Sequence, residues 1–132
     1  MAQNINAPLV LAFVGDAVYG LYMRTRLAQA ENARMNELHR KASHLVCAES
    51  QYHAVQHIIP LLTEEELLVF KHGRNAKSGT IPKNADVIHY RHATGLEALV
   101  GHLYLEKQAE RLDFLLEKIF DFLYADERMH TS

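Results

Sequence analysis

Leu9-Val10-Leu11-Ala12-Phe13-Val14-Gly15-Asp16-Ala17-Val18-Tyr19-Gly20 is an almost unbroken apolar run with one carboxylate inside it. An unpaired carboxylate is very costly to bury, and both Gly15 and Asp16 weaken a helix relative to Ala. A residue that lowers local stability and resists burial has a partner: a base, a hydrogen-bond donor or a metal ion. The alternative is a carboxylate on a solvated edge or one paired with an arginine. Position alone does not separate the two readings.

A second stretch, Ala93-Thr94-Gly95-Leu96-Glu97-Ala98-Leu99-Val100-Gly101, again places an acid inside an apolar helical run. Helix neighbours lie four residues apart, so Asp16 has Ala12 and Gly20 beside it and Glu97 has Ala93 and Gly101. Such small-residue stripes let two helices approach closely and could bring both carboxylates to one point. Two facing carboxylates repel, and a cation between them resolves the conflict. Magnesium fits best, because it takes one or two carboxylates and fills its octahedron with water and phosphate oxygens.

The 132 residues suffice for one domain (1–132) with a single core, and 48% hydrophobic with 23% charged residues marks an ordinary globular chain. One cysteine, Cys47, excludes an internal disulfide, suggests the reducing cytoplasm and argues against thiolate zinc sites. Between Val46 and Ala48, in an apolar helical stretch, it reads as an inert buried thiol. No signal peptide and no membrane-length apolar run are found. The net charge of −2 gives no global attraction to a polyanion, so any nucleic-acid site must be a local patch. Nine histidines are many, but they are scattered, and none forms a zinc motif with a matching third ligand. They read as solvated or core residues.

Along the chain, Asn6 is the expected cap of a first helix reaching about Ala30, with Pro8 in its first turn. A second helix covers roughly Met35 to Cys47, on the stripe Leu38, Ala42, Leu45, Val46, with Arg40, Lys41 and His44 polar. A third runs from Ser50 to Ile59 and ends at Pro60; Thr63 and Glu66 form a capping box for a fourth, through about Lys71. His72 to Asn84 is a loop rich in Gly, Ser, Thr and Asn, and Lys71, Arg74, Lys77 and Lys83 make it the most basic part of the chain. Accessible backbone N–H groups between cations suit phosphates, and the loop leads directly into the helix that carries Glu97. A solvated, flexible loop is the alternative.

Asn84 or Asp86 caps that long helix, which continues to about Lys107, and Glu110 to Tyr124 is a last amphipathic helix. The tail from Asp126 to Ser132 is expected to fray. No strand, repeat or second domain is expected, so the fold class is all-α. Val18, Leu21, Tyr22, Leu99, Leu103 and Tyr104 would suit burial against a partner subunit, with an internal core as the default.

Leu11-Ala12-Phe13-Val14-Gly15-Asp16-Ala17-Val18 resembles the LEFLGDAVL-type motif of ribonuclease III catalytic domains, and Glu97-Ala98-Leu99-Val100-Gly101 resembles their second acidic motif, DxxEALIG. With Arg74-Asn75-Ala76-Lys77-Ser78-Gly79-Thr80-Ile81-Pro82-Lys83-Asn84 between them, the likeness is to the short bacterial Mini-ribonuclease III branch, which lacks a double-stranded-RNA-binding domain. The resemblance implies an all-α, homodimeric endonuclease domain. It implies magnesium-dependent hydrolysis of both strands of double-stranded RNA, leaving 5′-phosphate and 3′-hydroxyl ends, with precursor 23S ribosomal RNA as substrate. A ribosomal protein is a candidate for presenting that substrate. Asp16 and Glu97 would be the catalytic and metal-binding pair, Asp16 orienting the attacking water and Glu97 anchoring the ion. Arg74, Asn75, Lys77, Ser78, Lys83 and Asn84 would contact RNA.

Two family acids are absent: Ala12 stands four residues before Asp16, and Thr94 three before Glu97. Glu31 and Glu37 are candidates for a further metal-binding Glu of the second helix. Those losses define the competing reading, a catalytically inactive double-stranded-RNA-binding dimer of the same fold. A phosphohydrolase of small molecules would want an adjacent His-Asp pair, which the chain lacks.

Overall fold

The computed structural model describes residues 5–77 and 80–130, and among them there are helices and no strands. Helix α1 (Pro8–Ala30) leads to α2 (Met35–Val46) and α3 (Ala48–Ile58), which continues as a 3-10 turn, Ile59–Leu61. Then come α4 (Glu64–Asn75), α5 (Val87–Leu105), α6 (Ala109–Tyr124) and a closing 3-10 turn, Glu127–Met129.

Helix α5 is the hub. It buries Leu96, Ala98, Leu99, Val100 and Leu103 on several sides, as a helix surrounded by others must. Helix α1 crosses it antiparallel: Gly15 lies on the backbone of Glu97, and Gly101 on that of Leu11. Helices α3 and α4 flank the pair, and α4 also approaches through glycines, Gly73 against Ala98 and Gly95 against Phe70. Helix α6 closes the core with Leu112, Leu115, Leu116, Ile119, Phe120 and Leu123, all buried as its spacing predicts.

Ion pairs fasten the ends of this arrangement. Glu117 of α6 accepts from Arg26 Nε and Nη2, at 2.9 and 2.7 Å, and from the Tyr22 hydroxyl at 2.8 Å. Lys41, only 8% exposed, donates to both oxygens of Glu31, which also accepts from Tyr124. Arg111 grips Glu66 within the capping box of α4, which forms as expected.

Several local expectations are corrected. The N-cap of α1 is Ala7, without a side-chain cap, rather than Asn6. Of the two cap candidates for α5, Asp86 accepts from the His89 N–H at 3.0 Å, while Asn84 adopts φ 72° in the turn before it. Cys47 is exposed instead of buried: its extended backbone (ψ 157°) makes the corner between α2 and α3, and its thiol lies 3.2 Å from the Ser50 hydroxyl. The tail does not fray at Asp126, because Met129 is fully buried in the core and Arg128 pairs with Asp126 at 2.7 Å. Leu99 and Leu103 belong to the core, whereas Leu21 and Tyr104 are exposed. No helix among the described residues is long and apolar enough to cross a membrane.

Candidate active site

The site lies where α1 crosses α5. Helices usually keep their axes 8–10 Å apart, and side chains at the crossing set that distance. Here it is set by backbone. A Cβ on Gly15 would sit inside the Glu97 carbonyl group, 2.6 Å from its carbon and 2.8 Å from the Gly101 nitrogen; one on Gly101 would stand 2.8 Å from the Leu11 carbonyl carbon. The close pair is therefore Gly15 and Gly101. Gly20, one member of the expected stripe, faces only the tip of its own Arg24.

This crossing brings the two acids together. The Asp16 carboxyl group lies within hydrogen-bonding reach of Glu97, which is half-buried. Burial first, then the hydrogen bond and charge of Asp16, push the Glu97 carboxyl up to about 8, against a lowering contribution from Gln51. Asp16 itself is exposed, on the open side of α1. Gln51 of α3, 3% exposed, donates its amide N–H to Glu97 Oε2 at 3.4 Å.

The donor set is all oxygen, and the electrostatic conflict between the acids is the kind a divalent cation removes. Among the described residues no group of three or more His, Cys, Asp or Glu side chains could hold a metal. Two carboxylates completed by water suit magnesium, a hard cation that dehydrates reluctantly. The additional acids proposed from the sequence do not join the site. Glu31 is bound to Lys41 and Tyr124, and Glu37 to Arg40. Thr94, in the position of a family acid, turns its hydroxyl to the Tyr90 carbonyl at 3.0 Å.

The ionisation of Glu97 has a consequence for stability. Its folded value lies above the unfolded 4.5, so the folded chain holds that proton more tightly. Its contribution is complete below about pH 4.5 and is lost as pH rises towards 8. The metal-free protein in a chelator is expected to lose thermal stability between these limits, by about 1.4 kcal/mol per pH unit at the steepest. Magnesium should flatten the slope. Thermal unfolding followed by circular dichroism checks this; a slope unchanged by magnesium would place the cation elsewhere.

The basic segment is distributed differently from the expectation. Helix α4 extends to Asn75, so Arg74 and Asn75 sit in its last turn, joined by an Arg74 Nε–H bond to Asn75 Oδ1 at 3.1 Å. Lys77, Lys83 and Asn84 are exposed; Ser78 lies outside the described residues. Arg74, Ile81, Tyr90, Arg91 and Thr94 line one crevice, which runs along α5 to within one helical turn of Glu97. Arg91 of that crevice and Glu97 thus share α5, whereas Arg74 belongs to α4 and Asp16 to α1. Two residues escaped the sequence reading. Arg91 could have been found as a cation on the helix that carries Glu97, three residues before Thr94. Gln51 had no such signal, because a lone glutamine in an amphipathic helix reads as surface. His53, His89 and His92 gather around the Tyr52 ring, whose centroid lies 5.3, 4.7 and 4.9 Å from theirs.

Residues 9–108 match the family model for the Ribonuclease III domain. The Mini-ribonuclease 3 of Brevibacillus brevis is 47% identical over 117 residues, covering 89% of this chain and 87% of its own. That of a Thermoanaerobacter species is 50% identical over 111 residues, with 84% and 78% covered. A crystal structure of a Fusobacterium nucleatum protein superposes with a TM-score of 0.78 at 31% identity, covering 87% of this chain and 92% of that one.

Proposed function

The chain belongs to the ribonuclease III domain family, and from that membership we propose that it is a magnesium-dependent endoribonuclease cutting both strands of double-stranded RNA. The observation that carries the reading is the meeting of Asp16 and Glu97 across a glycine–glycine helix crossing, which leaves two facing carboxylates half-open to solvent. A bound magnesium ion would supply charge to activate water and to stabilise the departing 3′ oxygen. Asp16 and Glu97 would hold it. Arg74 and Arg91 at the crevice, and the exposed Lys77 and Lys83 of the basic segment, would bind phosphates, with Asn75 and Asn84 offering polar contacts to the sugar edge. Such contacts read the shape of an A-form helix rather than its sequence. The chemistry favours ends with a 5′-phosphate and a 3′-hydroxyl.

The substrate proposed is the paired ends of precursor 23S ribosomal RNA, in the cytoplasm, with a ribosomal protein presenting it. Cleavage of a long RNA duplex with and without magnesium tests the reading. Binding with no cut at any magnesium concentration would instead favour the inactive RNA-binding dimer.

A second copy of the chain is part of the proposal, since one site per strand requires two. On α1, Leu9, Phe13 and Leu21 form one exposed row at multiples of four residues, with Phe13 80% and Leu21 70% exposed. The exposed Tyr104 is on the end of α5 that runs beside the start of α1. An apolar row of this kind on a surface marks an interface. Phe13→Glu is expected to convert a dimer to a monomer with native helix content, measured by light scattering and circular dichroism. A variant still dimeric at micromolar concentration would remove this row from the interface.

A further inference from the structure

Gln51 is buried beside Glu97, only 3% exposed. Leu or Met would fill the same volume between α3 and α5 without the cost of dehydrating a polar group. Its side-chain amide donates to Glu97 Oε2, at 3.4 Å. Asp16 cannot supply that service. Once a cation holds both carboxylates in the ionised form, each is an acceptor only, so neither satisfies the other. Glu97 also has three rotatable side-chain bonds, and freezing them costs entropy that a site with only two carboxylates must offset elsewhere.

Resting on the nuclease reading above, we infer that Gln51 is a positioning residue, whose amide N–H fixes the Glu97 carboxylate in the orientation that faces Asp16 and the cation. It is held in turn by its helix. Ser50 and Gln51 are buried together, and Ala54, Val55 and Ile58 anchor the same face of α3 in the core. The amide is therefore a rigid donor, and Glu97 is the movable group that it orients. Partners of this kind typically account for 10- to 100-fold in metal affinity or activity.

The test uses two variants. Gln51→Met keeps the volume and removes the donor; Gln51→Asn keeps the amide but draws it back by one methylene. Manganese binding to the RNA-free protein, read by electron paramagnetic resonance, is expected to weaken about 10- to 100-fold in both. The turnover number on duplex RNA should fall by a similar factor with KM for RNA unchanged, and half-maximal cleavage should require more magnesium. A folded variant of either kind that binds manganese and cuts as the native protein does would overturn the role of Gln51 alone. A native protein that neither binds manganese nor cuts duplex RNA would overturn the nuclease reading itself, and the role of Gln51 with it.

Discussion

Asp16→Asn is expected to reduce cleavage of duplex RNA by on the order of a thousandfold, about 4 kcal/mol of barrier, while duplex binding persists. The substitution preserves size and hydrogen-bonding shape and removes one charge. Asp16 is exposed and contributes nothing to the core, so the fold has no reason to suffer. The same change acts oppositely on stability. Asp16 is one of the causes that drive the Glu97 carboxyl up to about 8, and an amide there ends the repulsion. In a chelator at pH 8 the variant should therefore unfold at a higher temperature than the native protein. Lost activity with gained stability is the expected signature of a site held under electrostatic strain. A variant that cuts at the native rate would remove Asp16 from the chemistry. One that is inactive but less stable would mean that Asp16 supports the fold instead.

Gly15→Ala carries the largest expected effect on folding. Helix propensity alone would favour Ala by about 1 kcal/mol. Against that, the new methyl group would occupy the Glu97 carbonyl, 2.8 Å from the Gly101 nitrogen, and both obstacles are backbone. The two helices must separate, and overpacking of this kind costs about 3 kcal/mol or more. A loss of roughly 10 °C in the melting temperature follows for a domain of this size, together with weaker metal binding, because separation parts Glu97 from Asp16. Gly20→Ala is the internal control. Its Cβ would meet only the tip of the Arg24 side chain, which can swing away, so this variant should be neutral or more stable. Equal losses from both substitutions would mean that the crossing is looser than the geometry states.

Most of the fold was legible because helix signals in this chain are strong: capping at Thr63 and Asp86, Pro8 in a first turn, and apolar stripes on α2 and α6. The break between α2 and α3 was placed close to where it falls, but the exposure of Cys47 was not foreseen, since neither Gly nor Pro marks the corner and an extended Cys47 looks like any helical residue. Met129 was missed for a related reason, as nothing local in a polar tail reveals that one residue reaches the core. At the site, a carboxylate inside each of two apolar runs gave away Asp16 and Glu97 as partners. The register of their approach was less accessible. Small residues at i±4 describe one face of a helix, whereas the contact depends on where two axes cross, and this selected Gly15 over Gly20. Arg74 and Asn75 read as loop because Gly73 looks like a terminator; in the structure that glycine lets α4 close on Ala98 and Gly95.

The antiparallel crossing of α1 and α5 also has a consequence in time. Gly15 waits for Glu97, about 80 residues later in the chain. At about 5–20 residues per second of synthesis, α1 spends on the order of 4–16 s outside the ribosome before its main packing partner emerges. Through that interval Leu11, Tyr19, Met23 and Leu27, which end up buried, lie open beside the exposed Leu9, Phe13 and Leu21. Helix α1 is thus made well before it is covered, and it is a segment a chaperone would meet.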